Sequence, residues 1–199
     1  MTSAGQGTSK TILENRYLEG PSKAIFEWIY FYAVLFNKEK LAKRTVRKTE
    51  NRYDCTAKNA QSSFKEPKLV AVWAYYSDYP GYEGWRIATC DPKYNYYCEY
   101  TDACNINLLH SSTSLSDSQF VEFAKDADIF FYSGDSWDKW YVSGEKKEVL
   151  DQLKSVQNQQ VFDHELSGDG TWWEQRMAEY GKYSFLFLVT FCFLYIKTN

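Results

Sequence analysis

Ser136 stands in Gly134-Asp135-Ser136, directly after the apolar run DIFFY at 128–132. A serine on a sharp turn between a strand and a helix is where a hydrolase exposes its nucleophile, if a base takes its proton and an acid orients that base. The chain holds two histidines, His110 and His164, and the residue three before His164 is Val161 rather than an acid. Hydrolysis through Ser136 therefore stands as an alternative, and no catalytic residue is assigned. The G-x-S-x-G elbow, the phosphate-cradling loop and the dinucleotide fingerprint are absent from the sequence. Five cysteines are present, and Cys90, Cys98 and Cys104 fall within fifteen residues. They form no C-x2-C pair and neither histidine has a ligand at helical spacing, so the pattern is not that of zinc. A Cys90–Cys98 disulfide is the favoured pairing and would fit an extracytoplasmic protein, although no secretory signal is visible in 1–10; free buried thiols would fit a cytosolic one.

Aromatic residues give the stronger signal. Seven Trp, 17 Tyr and 13 Phe make up 19% of the chain, more than a core of this size is expected to absorb. In open α/β sheets the ligand crevice lies beyond the carboxyl ends of the strands. The sequence places Tyr75, Tyr76 and Tyr79 after its first strand, Asp135, Trp137, Asp138 and Trp140 after DIFFY, and His164, Trp172 and Trp173 after its last. Rings supply rigid contact area with a polar tip at low entropic cost, which suits ligand capture. Arg86 could pair with a carboxylate or phosphate, and Asp135 and His164 could touch a metal or hydrogen-bond a chelate. The candidate ligand-binding set is thus Tyr75, Tyr76, Tyr79, Arg86, Asp135, Trp137, Asp138, His164 and Trp172, with no resident cofactor and no protein-held metal. Trp73 and Trp85 are expected in the core.

The elements that must hold these residues are read from periodicity. Ile25, Trp28, Ile29, Tyr32, Leu35 and Phe36 recur at helical spacing, and Ala42, Val46 and Tyr53 continue one face, which predicts a single long helix over 21–53. Strands are expected at 69–75, 85–88, 128–132 and 160–163, the first two joined by an aromatic-tipped hairpin. Helices are expected at 94–104, ended by Asn105, at 117–125, opened by a Ser116/Gln119 capping box, at 145–156 and at 171–180. Strands alternating with helices predict an α/β fold, a mostly parallel sheet with helices on both faces, preceded by the long helix. The expected organisation is a frayed segment 1–20, the long helix 21–53, an α/β ligand-binding lobe 54–181 and an apolar tail 182–199. The tail holds fourteen almost wholly apolar residues, 183–196, where a bilayer span needs about twenty. A buried closing element is the first reading; a structural or adhesion domain with a membrane-associating tail is an alternative.

Charge removes one class of partner. With 23 Lys+Arg against 26 Asp+Glu the net charge is -3, and the sequence pI of about 5.5 argues against nucleic-acid binding. Residues 1–53 nonetheless hold ten Lys/Arg against five Asp/Glu, or +5, so the remainder carries -8. The cluster Lys38, Lys40, Lys43, Arg44, Arg47 and Lys48 reads as a solvated helix face, and no partner is drawn from it.

Two resemblances follow. Gly134-Asp135-Ser136 resembles the opening of the GDSL esterases, in which the block lies near the N-terminus, leucine follows and the base comes from a later D-x-x-H; here Trp137 follows. More extensively, the long helix with Glu27-Trp28-Ile29 and Phe36-Asn37-Lys38-Glu39, the strand, hairpin and helix, the phrase DADIFFY and the stretch KSVQNQQVF at 154–162 resemble the ABC-transporter substrate-binding proteins with a single backbone helix. The likeness covers roughly 21–180. It implies a non-enzymatic, extracytoplasmic receptor for an iron-siderophore, haem, cobalamin or related metal chelate, whose iron or cobalt belongs to the ligand, with a membrane transporter as partner. In that family a first lobe precedes the helix and glycines follow the helix after the hairpin. Here about twenty polar residues and Cys104-Asn105 stand in those places, so the expectation is helix plus second lobe.

Overall fold

The computed structural model describes residues 22–63, 69–90, 96–134 and 137–163. One sheet contains β1 (Val70–Ser77), β2 (Gly84–Ile87), β3 (Asn107–Leu109), β4 (Ile129–Tyr132) and β5 (Val161–Asp163), with β2-β1-β4-β5 side by side. β4 runs parallel to β1 and β5 parallel to β4, while β2 is antiparallel to the second half of β1. β3, which periodicity does not reveal in three residues, pairs parallel with the first half of β1, Val70 opposite Asn107. The mostly parallel α/β sheet expected from the sequence is the one observed.

Ala71–Ala74 of β1 and all of β4 are apolar at every position because both faces are covered there. Ala71, Trp73, Ile129 and Phe131 face one side, with Phe26, Val46, Ala60 and Tyr100 from α1 (Ser22–Leu35), α2 (Glu39–Ser63) and α3 (Tyr96–Ala103). Val72, Ala74, Phe130 and Tyr132 face the other, with Phe120 from α4 (Asp117–Ala124) and Leu150 from α5 (Lys147–Leu150). Trp73 and Trp85 are buried as expected. Each removes some 150–250 Å² from water, on the order of 5 kcal/mol at ~25 cal/mol per Å² as an upper bound.

The single long helix is corrected. α1 ends at Leu35 and α2 begins at Glu39, with Asn37 left-handed at φ 51. Lys38 N–H donates to Ala33 C=O at 2.8 Å and Asn37 N–H to Val34 C=O, the paired bonds that close a helix at a left-handed residue. α2 then continues to Ser63, ten residues past the expected end at 53. The expected helix 145–156 is likewise divided. α5 stops at Leu150, Leu153 is extended, and α6 (Lys154–Gln157) restarts, so Leu150, Leu153 and Val156 all reach the core without one continuous helix.

Other local signals act as read. Ser116 Oγ accepts from Gln119 N–H while Gln119 Oε1 accepts from Ser116 N–H at 2.9 Å, completing the capping box. Asn105 is left-handed at φ 56, just after α3. In DADIFFY, Asp128 accepts from Val70 N–H at 2.8 Å and from Lys154 Nζ at 2.7 Å, pinning β1 and α6 to the start of β4. Cys90 and Cys98 are disulfide-bonded, tying the chain after β2 to α3. The frayed segment 1–20, the helix 171–180 and the apolar tail lie outside the described residues. No helix among the described residues is long and apolar enough to cross a membrane.

Candidate functional site

Because β1 and β4 are parallel neighbours, both deliver their carboxyl ends to the same edge of the sheet. There the end of β1 and the hairpin tip contribute Tyr75, Tyr76, Asp78 and Tyr79, and Ser133-Gly134 follow β4. A π-helical turn, Asp138–Val142, adds Lys139 and Trp140, and α3 adds Tyr97, around a hollow of about 430 Å³. That volume is within the range of small-molecule sites.

The rings are held by their neighbours. Tyr76 sits edge-on to Trp85 and Trp140, with centroids at 5.4 and 4.8 Å. Lys146 Nζ stands 4.0 Å from its ring centre and donates to Asp117 at 2.8 Å; Asp117 also accepts from Trp85 Nε1 at 2.9 Å. Burial pulls the Lys146 ammonium down, but its hydrogen bonds to Asp117 and Tyr76 and their charges outweigh this and hold it above the ordinary lysine value. Tyr97 packs against Trp73 at 4.8 Å. At the mouth, Lys139 hydrogen-bonds Asp78 and lies 4.1 Å over the Trp140 ring. The bond from Lys139 holds the Asp78 carboxyl below its ordinary value.

Gly134 brings backbone to the floor. A Cβ there would lie 2.4 Å from Tyr132 Oη and 3.0 Å from Tyr75 Cβ. The surface therefore combines ring faces, phenol hydroxyls and one exposed ion pair whose ammonium can turn to an anionic group. This chemistry suits a flat, largely apolar ligand with an acidic edge.

No family model matches the chain. An uncharacterised lipoprotein of Methanocaldococcus jannaschii is 26% identical over 152 residues, 76% of this chain and 36% of the relative. A possible iron-binding periplasmic solute-binding protein of Staphylococcus epidermidis superposes with a TM-score of 0.58 at 16% identity, over 83% of this chain and 59% of that one. The fold is that of a periplasmic binding protein. A periplasmic haem-binding protein of Vibrio cholerae has the same fold, with a TM-score of 0.54 at 14% identity, over 81% of this chain and 63% of that one. The chain thus spans about a third of the length of the relative and under two thirds of each of these structures.

Within this periplasmic-binding-protein fold, Tyr75, Tyr76 and Tyr79 line the hollow. Arg86 does not: its guanidinium donates to Tyr82 C=O at 3.1 Å and lies over the Tyr82 ring, bracing the hairpin tip. Trp137 packs on Tyr132 and stacks on Tyr141 in the second core, and Asp138 is exposed on the π-helical turn; neither lines the hollow. The turn presents the next two residues, Lys139 and Trp140, instead. Asp135, Ser136, His164, Trp172 and Trp173 lie outside the described residues. The candidate ligand-binding set left out Ser77, Asp78, Tyr97, Ser133, Gly134, Lys139 and Trp140, which also line the hollow. Of these, Gly134 carried a local signal in Gly134-Asp135-Ser136, and Lys139 and Trp140 carried one in the tryptophan cluster after β4.

Proposed function

We propose that the chain is the ligand-binding lobe of a solute-binding protein that captures a metal chelate of the haem or iron-siderophore class outside the cytoplasm and delivers it to a membrane transporter, without catalysing a reaction. The observation that carries this is the tyrosine-lined hollow at the carboxyl edge of the parallel sheet, where an open α/β sheet takes its ligand. Support comes from the fold shared with an iron-binding candidate and a haem-binding protein, and from the disulfide and the lipoprotein relative for an extracytoplasmic location. The metal arrives with the ligand, and the protein supplies ring faces and Lys139. Haem, ferric siderophore complexes and cobalamin titrated separately into the full chain should identify the ligand by saturable quenching of tryptophan fluorescence at micromolar concentration. Tyr79→Ala should weaken that binding about tenfold, the loss of one stacked ring worth about 1.4 kcal/mol. Absence of quenching by all three sinks the reading, as would ester hydrolysis that disappears in Ser136→Ala.

A further inference from the structure

We propose that the outward face of α2, with the apolar corner before it, docks on the surface of a membrane carrying anionic lipids. On α2 the buried Ala42, Val46, Thr56 and Ala60 fall on one side of the helix. Lys40, Lys43, Arg44, Arg47 and Lys48 recur at i, i+3, i+4, i+7 and i+8, and this stripe is centred on the opposite side, all of it exposed. No ion pair neutralises any of these five cations among the described residues.

Charge complementarity alone would serve any polyanion. The corner decides for lipid. The left-handed turn at Asn37 leaves Val34, Leu35 and Phe36 at the end of α1 exposed to 59%, 50% and 69%. Leu41, in the first turn of α2, is 49% exposed and shares a row with Arg44 and Lys48. Nucleic-acid phosphates offer nothing to bury these side chains, whereas an interface takes cations at its headgroups and apolar groups at the acyl boundary. The net -8 of residues 54–199 is repelled by the same surface, so this face is the one presented. The surface is separate from the tyrosine-lined hollow, and the proposal does not depend on the ligand.

Co-sedimentation of the full chain with phosphatidylglycerol-containing vesicles, against pure phosphatidylcholine vesicles, tests it. Binding should favour the anionic vesicles, weaken as salt rises and fall by more than about a hundredfold in the quadruple variant Lys43→Gln, Arg44→Gln, Arg47→Gln and Lys48→Gln, at roughly a kcal/mol per cation. These positions are exposed, and an unchanged circular dichroism spectrum confirms folding. Phe36→Ser with Leu41→Ser should reduce binding at high salt more than at low salt. Equal binding to both vesicle types would overturn the proposal. So would undiminished binding by the quadruple variant, which assigns attachment to another segment such as 183–196, or binding to DNA oligonucleotides without binding to vesicles.

Discussion

Gly134 is the residue at which side-chain size and site geometry meet. Its Cβ position is filled by the tip of the buried Tyr132 and the stem of Tyr75, so no larger residue fits without moving a ring. Gly134→Ala should cost about 1–3 kcal/mol, the usual price of overpacking, read as a lower midpoint in urea unfolding. Ligand affinity should fall with it, because the Tyr132 ring must shift and Gly134 and the adjacent Tyr75 both line the hollow. Lys146 acts at the same scale through Tyr76. Its ammonium is held above the ordinary value of 10.5, so its contribution to stability is complete below that pH and is lost as pH rises through the higher folded-state value. The stability of the wild-type chain should therefore decline more steeply above about pH 10.5 than that of Lys146→Met; equal alkaline limbs in unfolding curves measured at several pH values would count against the Lys146–Asp117–Tyr76 arrangement.

Elements are decided by short signals that outrank periodicity. The apolar spacing from Ile25 to Tyr53 runs past Asn37 without a glycine or proline, yet one left-handed residue turns the chain and converts one helix into two. Asparagine tolerates that conformation and glycine suits it better, whereas alanine pays a steric penalty of about 1 kcal/mol or more. Asn37→Gly should match or exceed the wild type in denaturant midpoint, and Asn37→Ala should fall below it. The Ser116/Gln119 box and Asn105 were legible because each is a complete local hydrogen-bonding or backbone device. β3 was not legible: three residues carry no period, and they are a strand only because the first half of β1 leaves an edge there. The π-helical turn is equally silent in sequence, and it determines that Lys139 and Trp140, rather than Trp137 and Asp138, reach the hollow.

For the whole molecule, the two covered faces of the sheet explain where many of the aromatic residues go. Trp73, Tyr96, Tyr100 and Phe131 fill one layer and Trp85, Phe120, Phe130, Tyr132 and Trp140 the other. Among the described residues, Tyr75, Tyr76, Tyr79 and Tyr97 line the hollow and Phe36 stands exposed at the corner after α1, so the aromatic residues mark surfaces as well as a core. The micromolar quenching expected with a metal chelate belongs to this scale, since it depends on rings from β1, α3 and the π-helical turn acting as one wall. By itself the sequence determined the α/β class, the apolar runs of β1 and β4, the capping box, the favoured cysteine pair and the tyrosines at the end of β1. These follow from local periodicity and from side-chain chemistry over a few residues. Only the tertiary structure decided which residues share the hollow, that Arg86 braces the hairpin, that α1 and α2 are separate, and that Lys40, Lys43, Arg44, Arg47 and Lys48 make no ion pair among the described residues. Such choices depend on contacts between residues far apart in the chain, and no local pattern encodes them.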